Sequence, residues 1–116
     1  MAVYFFTDQP QALLDKFNAR IRQGEAVGRI HAWIRGSDGS SYTHSDDNWI
    51  NKSWFKARVN KDALVFNIIR PEDRYVSVKA YAFYHGQIIK TFLNHLDLNF
   101  DSLALSPRCD DGDINA

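Results

Sequence analysis

Apolar residues recur along this chain with two different periods, and the switches between them mark out the elements. Val3-Tyr4-Phe5-Phe6 is a short β-branched and aromatic run that predicts a first strand. Leu13, Leu14, Phe17 and Ile21 then fall at helical spacing and form one apolar stripe. Asp8 is placed to cap this helix, with Gln11 completing a capping box, Pro10 in the first turn and Gly24 as the stop. From 26 to 35 the period is two. Ala26, Gly28, Ile30, Ala32 and Ile34 share one face, and Val27, Arg29, His31, Trp33 and Arg35 share the other.

Asp38-Gly39 is a hairpin signal, and Ser41-Tyr42-Thr43-His44 is the expected returning strand. A connection follows, with a single helical turn expected around Trp49 and Ile50. Residues 54–59 alternate, Asn60-Lys61-Asp62 is a turn, and 63–69 is an apolar strand, so the two strands predict a second hairpin. Residues 75–84 pull both ways. Pro71-Glu72-Asp73 has the look of a helix start, yet Val76, Val78, Ala80 and Ala82 alternate with Tyr75, Ser77, Lys79, Tyr81 and Phe83, which predicts a strand. After His85-Gly86, Ile88, Ile89, Phe92, Leu93 and Leu96 predict a second helix ending near Asp97.

Leu98, Phe100, Leu103 and Leu105 are expected to pack back on the body, while 106–116 is polar and expected to be a disordered tail. The expected architecture is α+β: a mostly antiparallel sheet of five to six strands with two helices on one face, in a single domain over 1–105.

Composition narrows the function classes. The chain has 116 residues, 45% of them hydrophobic, and equal numbers of basic and acidic side chains. The zero net charge argues against a strongly basic nucleic-acid binder. It is nonetheless a sum of unlike parts. Asp101, Asp110, Asp111 and Asp113 face only Arg108 near the end, while Lys52, Lys56, Arg58, Lys61, Arg70, Arg74 and Lys79 outnumber Asp62, Glu72 and Asp73 further in. The exclusion of an anionic partner therefore narrows to tight duplex binding, for which this mild basic excess falls short. No apolar run approaches the roughly 20 residues that span a bilayer, and the first residues lack the basic and apolar regions of a secretory signal. Cys109 is the lone cysteine, so neither an internal disulfide nor a cysteine-based zinc site is available. These features predict a soluble cytoplasmic protein with no membrane association, metal or cofactor.

Candidate chemistry is sparse. Phosphate-loop, nucleophile-elbow and His-Glu-x-x-His patterns are absent. The densest polar cluster holds His44, Asp46 and Asp47, where an imidazole with a carboxylate could act as base and orienter or as ligands; turn and cap chemistry accounts for the same residues. His85 stands at an element junction and is a second catalytic candidate. His95 is explained by the C-terminal end of its helix.

The broader signal is a face that interleaves cations with aromatics. If the small aliphatic residues face the helices, the opposite face carries Arg29, His31, Trp33 and Arg35, then Trp54, Lys56 and Arg58, then Tyr75, Lys79, Tyr81 and Phe83. Such a surface suits contact with another protein or a second copy of the chain, and it could also stack and neutralise a single-stranded nucleic acid. Coverage by other segments, which would make these rings core, is the competing structural account. The leading expectation is a protein-binding, homodimeric domain without catalytic activity. Single-stranded nucleic-acid binding and a small enzyme built on His44 or His85 with Asp46 or Asp47 are the alternatives.

The string Thr43-His44-Ser45, Trp49, Lys52-Ser53-Trp54-Phe55, Leu64 to Ile68 and Tyr81-Ala82-Phe83-Tyr84-His85-Gly86 resembles a recurring pattern of small uncharacterised bacterial proteins. The resemblance spans about residues 26–97. It implies a bacterial cytoplasmic protein, and it implies no activity and no site residue.

Overall fold

The computed structural model describes residues 2–69 and 76–106. Its elements run β1 (Ala2–Phe6), α1 (Pro10–Arg22), β2 (Trp33–Arg35), β3 (Ser41–His44), β4 (Trp54–Val59), β5 (Ala63–Ile69), α2 (Val78–His95), a 3-10 turn (Asp97–Asn99) and β6 (Ser102–Ser106). The six strands form one antiparallel sheet in the order β2-β3-β4-β5-β1-β6. This is the expected α+β architecture. Both helices pack on the face formed by Val3, Phe5, Trp33, Tyr42, Phe55, Leu64, Phe66 and Ile68, to which they contribute Leu13, Phe17, Tyr84, Ile88 and Phe92. The rings interlock: Phe92 of α2 stacks on Phe5 of β1 at 4.1 Å, while Phe17 of α1 meets Phe66 edge-on at 5.5 Å.

Both predicted hairpins form. β4 and β5 pair from Trp54↔Ile69 to Val59↔Leu64. Between β2 and β3 the Asp38 carboxylate accepts the backbone N–H groups of Ser40 and Ser41, and Gly39 takes φ +78°, a conformation that suits glycine. The single helical turn is also present. The N–H groups of Trp49 and Ile50 both donate to the Asp46 carbonyl, at 2.9 and 2.8 Å.

Four expectations are corrected. Residues 78–84 are helix, not strand. Ser77 Oγ accepts the Ala80 N–H at 3.1 Å and starts α2, and Ala80, Tyr84, Ile88 and Phe92 then form one buried stripe at four-residue spacing. The helix runs straight through Gly86, which sits on its exposed side. Tyr75 lies outside the described residues.

The strand expected over 26–35 is confined to Trp33–Arg35. The backbone before it bonds to the end of α1 and to itself: the Ile30 N–H donates to the Arg20 carbonyl and the Arg29 N–H to the Ala26 carbonyl, while Arg20 Nη1 donates to the carbonyl of Gly28 at φ +77°.

Asp8 does not cap α1. Thr7 Oγ1 accepts the Gln9 N–H, Gln9 holds the cap position, and Gln11 donates to Asp15 instead of closing a capping box.

Finally, Ser106 belongs to β6, which pairs with β1 along its whole length, so the packed chain runs one residue past the expected end. The rest of the predicted tail, residues 107–116 with Cys109, lies outside the described residues.

Candidate functional site

Strand alternation divides the sheet into two unlike faces. The helix-free face carries Ala2, Tyr4 and Phe6 from β1, Ala63, Val65 and Asn67 from β5, Trp54, Lys56 and Arg58 from β4, and Ala104 from β6. Register aligns Arg58 with Val65, Val65 with Tyr4, and Tyr4 with Ala104 in one row across four strands. Ala2, Ala63 and Val65 form a second apolar cluster on which Tyr4 and Phe6 pack. The two rings stack on each other at 6.2 Å and both stay half-buried. Together with Ala63, Ala104 and Leu105 they line a shallow, mainly apolar hollow of about 370 Å³, to which Asn60 and Asp62 also contribute.

Of the predicted contact residues, Trp54, Lys56 and Arg58 do share this face. Trp54 is half-buried and leans against the β2–β3 turn, where a side chain at Gly36 would stand 3.1 Å from its ring. Lys56 is exposed, with Nζ 3.8 Å from the Asp38 carboxylate. The Ser41 hydroxyl and the Ser40 N–H hold that carboxyl below the ordinary carboxylate range, with Lys56 adding to the effect. Arg58 donates from Nε to Asn67 Oδ1 and from Nη1 to Asn60 Oδ1, both at 3.3 Å, which lays the guanidinium along the sheet.

The other predicted contact residues do not join them. Trp33 is 2% exposed and points into the helix-covered core, while its neighbour Ile34 is 41% exposed. The alternation assumed from residue 26 onward is broken by the non-strand backbone before residue 33, so the face assignment inverts. Arg29 and His31 lie in that irregular segment, and Arg35 folds back to donate to the Gly39 carbonyl at 2.7 Å. Tyr81 sits on α2, stacked on His85 at 4.6 Å, in the layer on the other side of the sheet.

The alternative catalytic set does not assemble. His44 Nδ1 accepts the backbone N–H of Asp46 at 3.1 Å, and the Asp46 carboxylate accepts the Asn48 N–H at 2.8 Å, so imidazole and carboxylate serve one turn instead of each other. Asp47 is exposed. His85 is buried on α2, where Nδ1 bonds the Tyr81 carbonyl at 2.8 Å and the ring meets Phe55 edge-on. Among the described residues, no three His, Cys, Asp or Glu side chains converge as metal ligands would.

Sequence reasoning passed over Tyr4 and Phe6. Their signal was the β1 alternation itself, in which Val3 and Phe5 form one set and Tyr4 and Phe6 the other. No family model matches the chain, and no curated protein or solved structure matches it either. No helix among the described residues is long and apolar enough to cross a membrane.

Proposed function

We propose that this chain is a cytoplasmic protein-binding domain that acts by contact, without catalysis, and pairs with a second copy of itself through the helix-free face of its sheet. The observation that carries the reading is one-sided layering. Among the described residues both helices lie on one face, while the other presents stacked Tyr4 and Phe6 over an apolar hollow. Aromatic and arginine side chains around an apolar centre are the composition of contact surfaces.

A second copy suits this face better than a polyanion. A two-fold interface must be complementary to itself. Asp62 lines the hollow and Arg58 donates to Asn60 of the same lining, so each sign can meet its opposite across a dyad. The chain as a whole has zero net charge, so two copies approach without net repulsion, whereas a nucleic acid gains no long-range attraction.

Light scattering on a size-exclusion column tests the proposal. The wild type is expected to run at twice the chain mass at high concentration. Phe6→Asp, which places a charge in the hollow, is expected to run as a monomer with unchanged circular dichroism. A wild type that stays monomeric at every concentration overturns the reading. Retention of a single-stranded oligonucleotide at low salt, lost in Lys56→Glu, would replace it with the nucleic-acid alternative.

A further inference from the structure

A buried polar atom with no hydrogen-bond partner lies on the covered side of the sheet, in His44. His44 is 6% exposed, at the end of β3. Trp33 of β2 meets its ring edge-on at 5.2 Å, and Phe83 and Tyr84 of α2 do so at 4.7 and 6.3 Å. Nδ1 accepts the Asp46 N–H, which puts the ring proton on Nε2, and Nε2 is buried without a hydrogen-bond partner. The groups able to respond to its charge are few. Asp46 on the connection bears a carboxylate, and α2 offers the Tyr84 hydroxyl and the Gln87 amide, while β2 presents only the Trp33 indole.

The segment that His44 holds is the 45–53 connection, which is also tied to α2, to β3, to the residues before β2 and, through Ser53 Oγ and the Ile69 carbonyl, to β5. The Tyr84 hydroxyl donates to the Trp49 carbonyl and lies 3.0 Å from Thr43 Oγ1. Thr43 Oγ1 in turn accepts the Asn51 N–H and donates to the Ser53 carbonyl, both at 2.9 Å. Ser45 bonds the irregular segment just before β2, through its N–H to the Ala32 carbonyl and its hydroxyl to the His31 carbonyl. Trp49 closes the arrangement by stacking on Phe83 at 4.5 Å, and Phe83 is also the ring nearest His44.

We propose that His44 is an acid-sensitive latch: protonating its buried ring turns the acceptor that holds the Asp46 N–H into a donor, and the 45–53 connection swings off α2. The proton enters at Nδ1, where the ring gains an N–H that points at the N–H of Asp46. Two donors then face each other, and the new charge lies between Trp33, Phe83 and Tyr84 in a site with little solvent. The conflict is relieved if the connection moves and the ring reaches water. Burial holds the imidazole below its ordinary value, with Gln87 and the Asp46 carboxylate offsetting part of that, Gln87 from a position short of ordinary hydrogen-bond geometry. The latch is therefore closed near neutral pH and opens on acidification. Opening parts Trp49 from the Phe83 ring, both half-buried in the closed form, and so enlarges the aromatic surface exposed there.

Amide hydrogen exchange read by NMR on the full chain tests the latch between about pH 7.5 and about pH 5, the range in which histidine changes charge. After correction for intrinsic exchange rates, protection over 45–53 is expected to fall by up to about tenfold per pH unit, the limit set by one proton. Protection of β4 and β5 is expected to hold. His44→Asn keeps an acceptor near the Nδ1 position and cannot titrate, so its 45–53 protection is expected to be independent of pH. Equal acid loss in wild type and His44→Asn overturns the proposal. If His44→Asn fails to fold, the nitrogen shifts of the His44 ring in the wild type decide. They must titrate along the same curve as the loss of protection, and a ring that titrates while 45–53 stays protected, or remains neutral while it opens, overturns the latch.

Discussion

The indole N–H of Trp33 donates to Thr91 Oγ1 at 3.0 Å, and the same hydroxyl donates at 2.8 Å to the Gln87 carbonyl one turn earlier in α2. Edge strand β2 has three residues, and this bond ties it to the helix layer. Thr91→Val keeps the shape but leaves the buried indole N–H without its acceptor, at an expected cost of about 1–3 kcal/mol. Urea unfolding with an unchanged slope is the check.

Trp33→Ala and Trp54→Ala are expected to separate cleanly. Trp33 is core, so its truncation should cost about 3–5 kcal/mol and lower folded yield before any effect on association is visible. Trp54 lies half-buried on the helix-free face, so its truncation should leave the thermal midpoint nearly unchanged and weaken self-association. Calorimetry and light scattering on both variants read the two outcomes.

Tyr84→Phe removes one hydroxyl from a site where the Trp49 carbonyl, Thr43 Oγ1 and the His44 N–H all meet it. A loss of about 1–3 kcal/mol is expected, as for a buried polar group stripped of its partner. Because the ring keeps its contacts with Trp33 and Phe55, the circular dichroism of the folded protein should not change.

Stability is expected to fall on acidification through the histidines. His44 and His95 are both held below the ordinary imidazole value of 6.5, each chiefly by burial, with Arg20 adding to the effect at His95. The unfolded chain therefore takes up these protons first. Stability is full above 6.5 and declines as pH falls from there toward the lower folded-state values. Denaturation midpoints measured from neutral to mildly acidic pH should show this slope, and His95→Gln should make it shallower.

Gly28→Ala should destabilise by about 1–2 kcal/mol, the cost of a left-handed residue with a side chain. Its new Cβ would also lie 2.9 Å from Arg20 Nη1, which donates to the Gly28 carbonyl. A lower thermal midpoint with an intact β4–β5 hairpin is the expected signature.

How far these features were legible depended on the distance between the groups that decide them. The β4–β5 hairpin, the Asp38-Gly39 turn and the α1 stripe are written in alternation and turn residues a few positions apart, and all three form. The start of α2 was ambiguous because Val76, Val78 and Ala80 alternate while Ala80, Tyr84, Ile88 and Phe92 repeat every fourth residue. The Ser77 cap and the distant partners Thr43 and Trp33 favour the helix. Trp33 was misplaced for a related reason: one irregular stretch before a strand reverses every inward and outward assignment after it. Three residues of the proposed contact face, Trp54, Lys56 and Arg58, were readable because β4 begins and ends where its alternation does. Tyr4 and Phe6 were not, since a wholly apolar strand does not announce which side is left uncovered.

The place of β1 in the sheet has a consequence for the order of assembly. β2, β3, β4 and β5 are successive neighbours and can zip together through short connections. β1 precedes them in the chain but joins the sheet through β5, its partner from Ala2↔Asn67 onward, and β6 joins through β1. Closure of the sheet is thus non-local, pairing residues 2–6 with 63–67 and with 102–106, and is expected late in folding. Until then the inner edge of β5 stands open, and that nascent species is where a chaperone, or a misplaced strand from a neighbouring chain, would compete with the chain's own first residues.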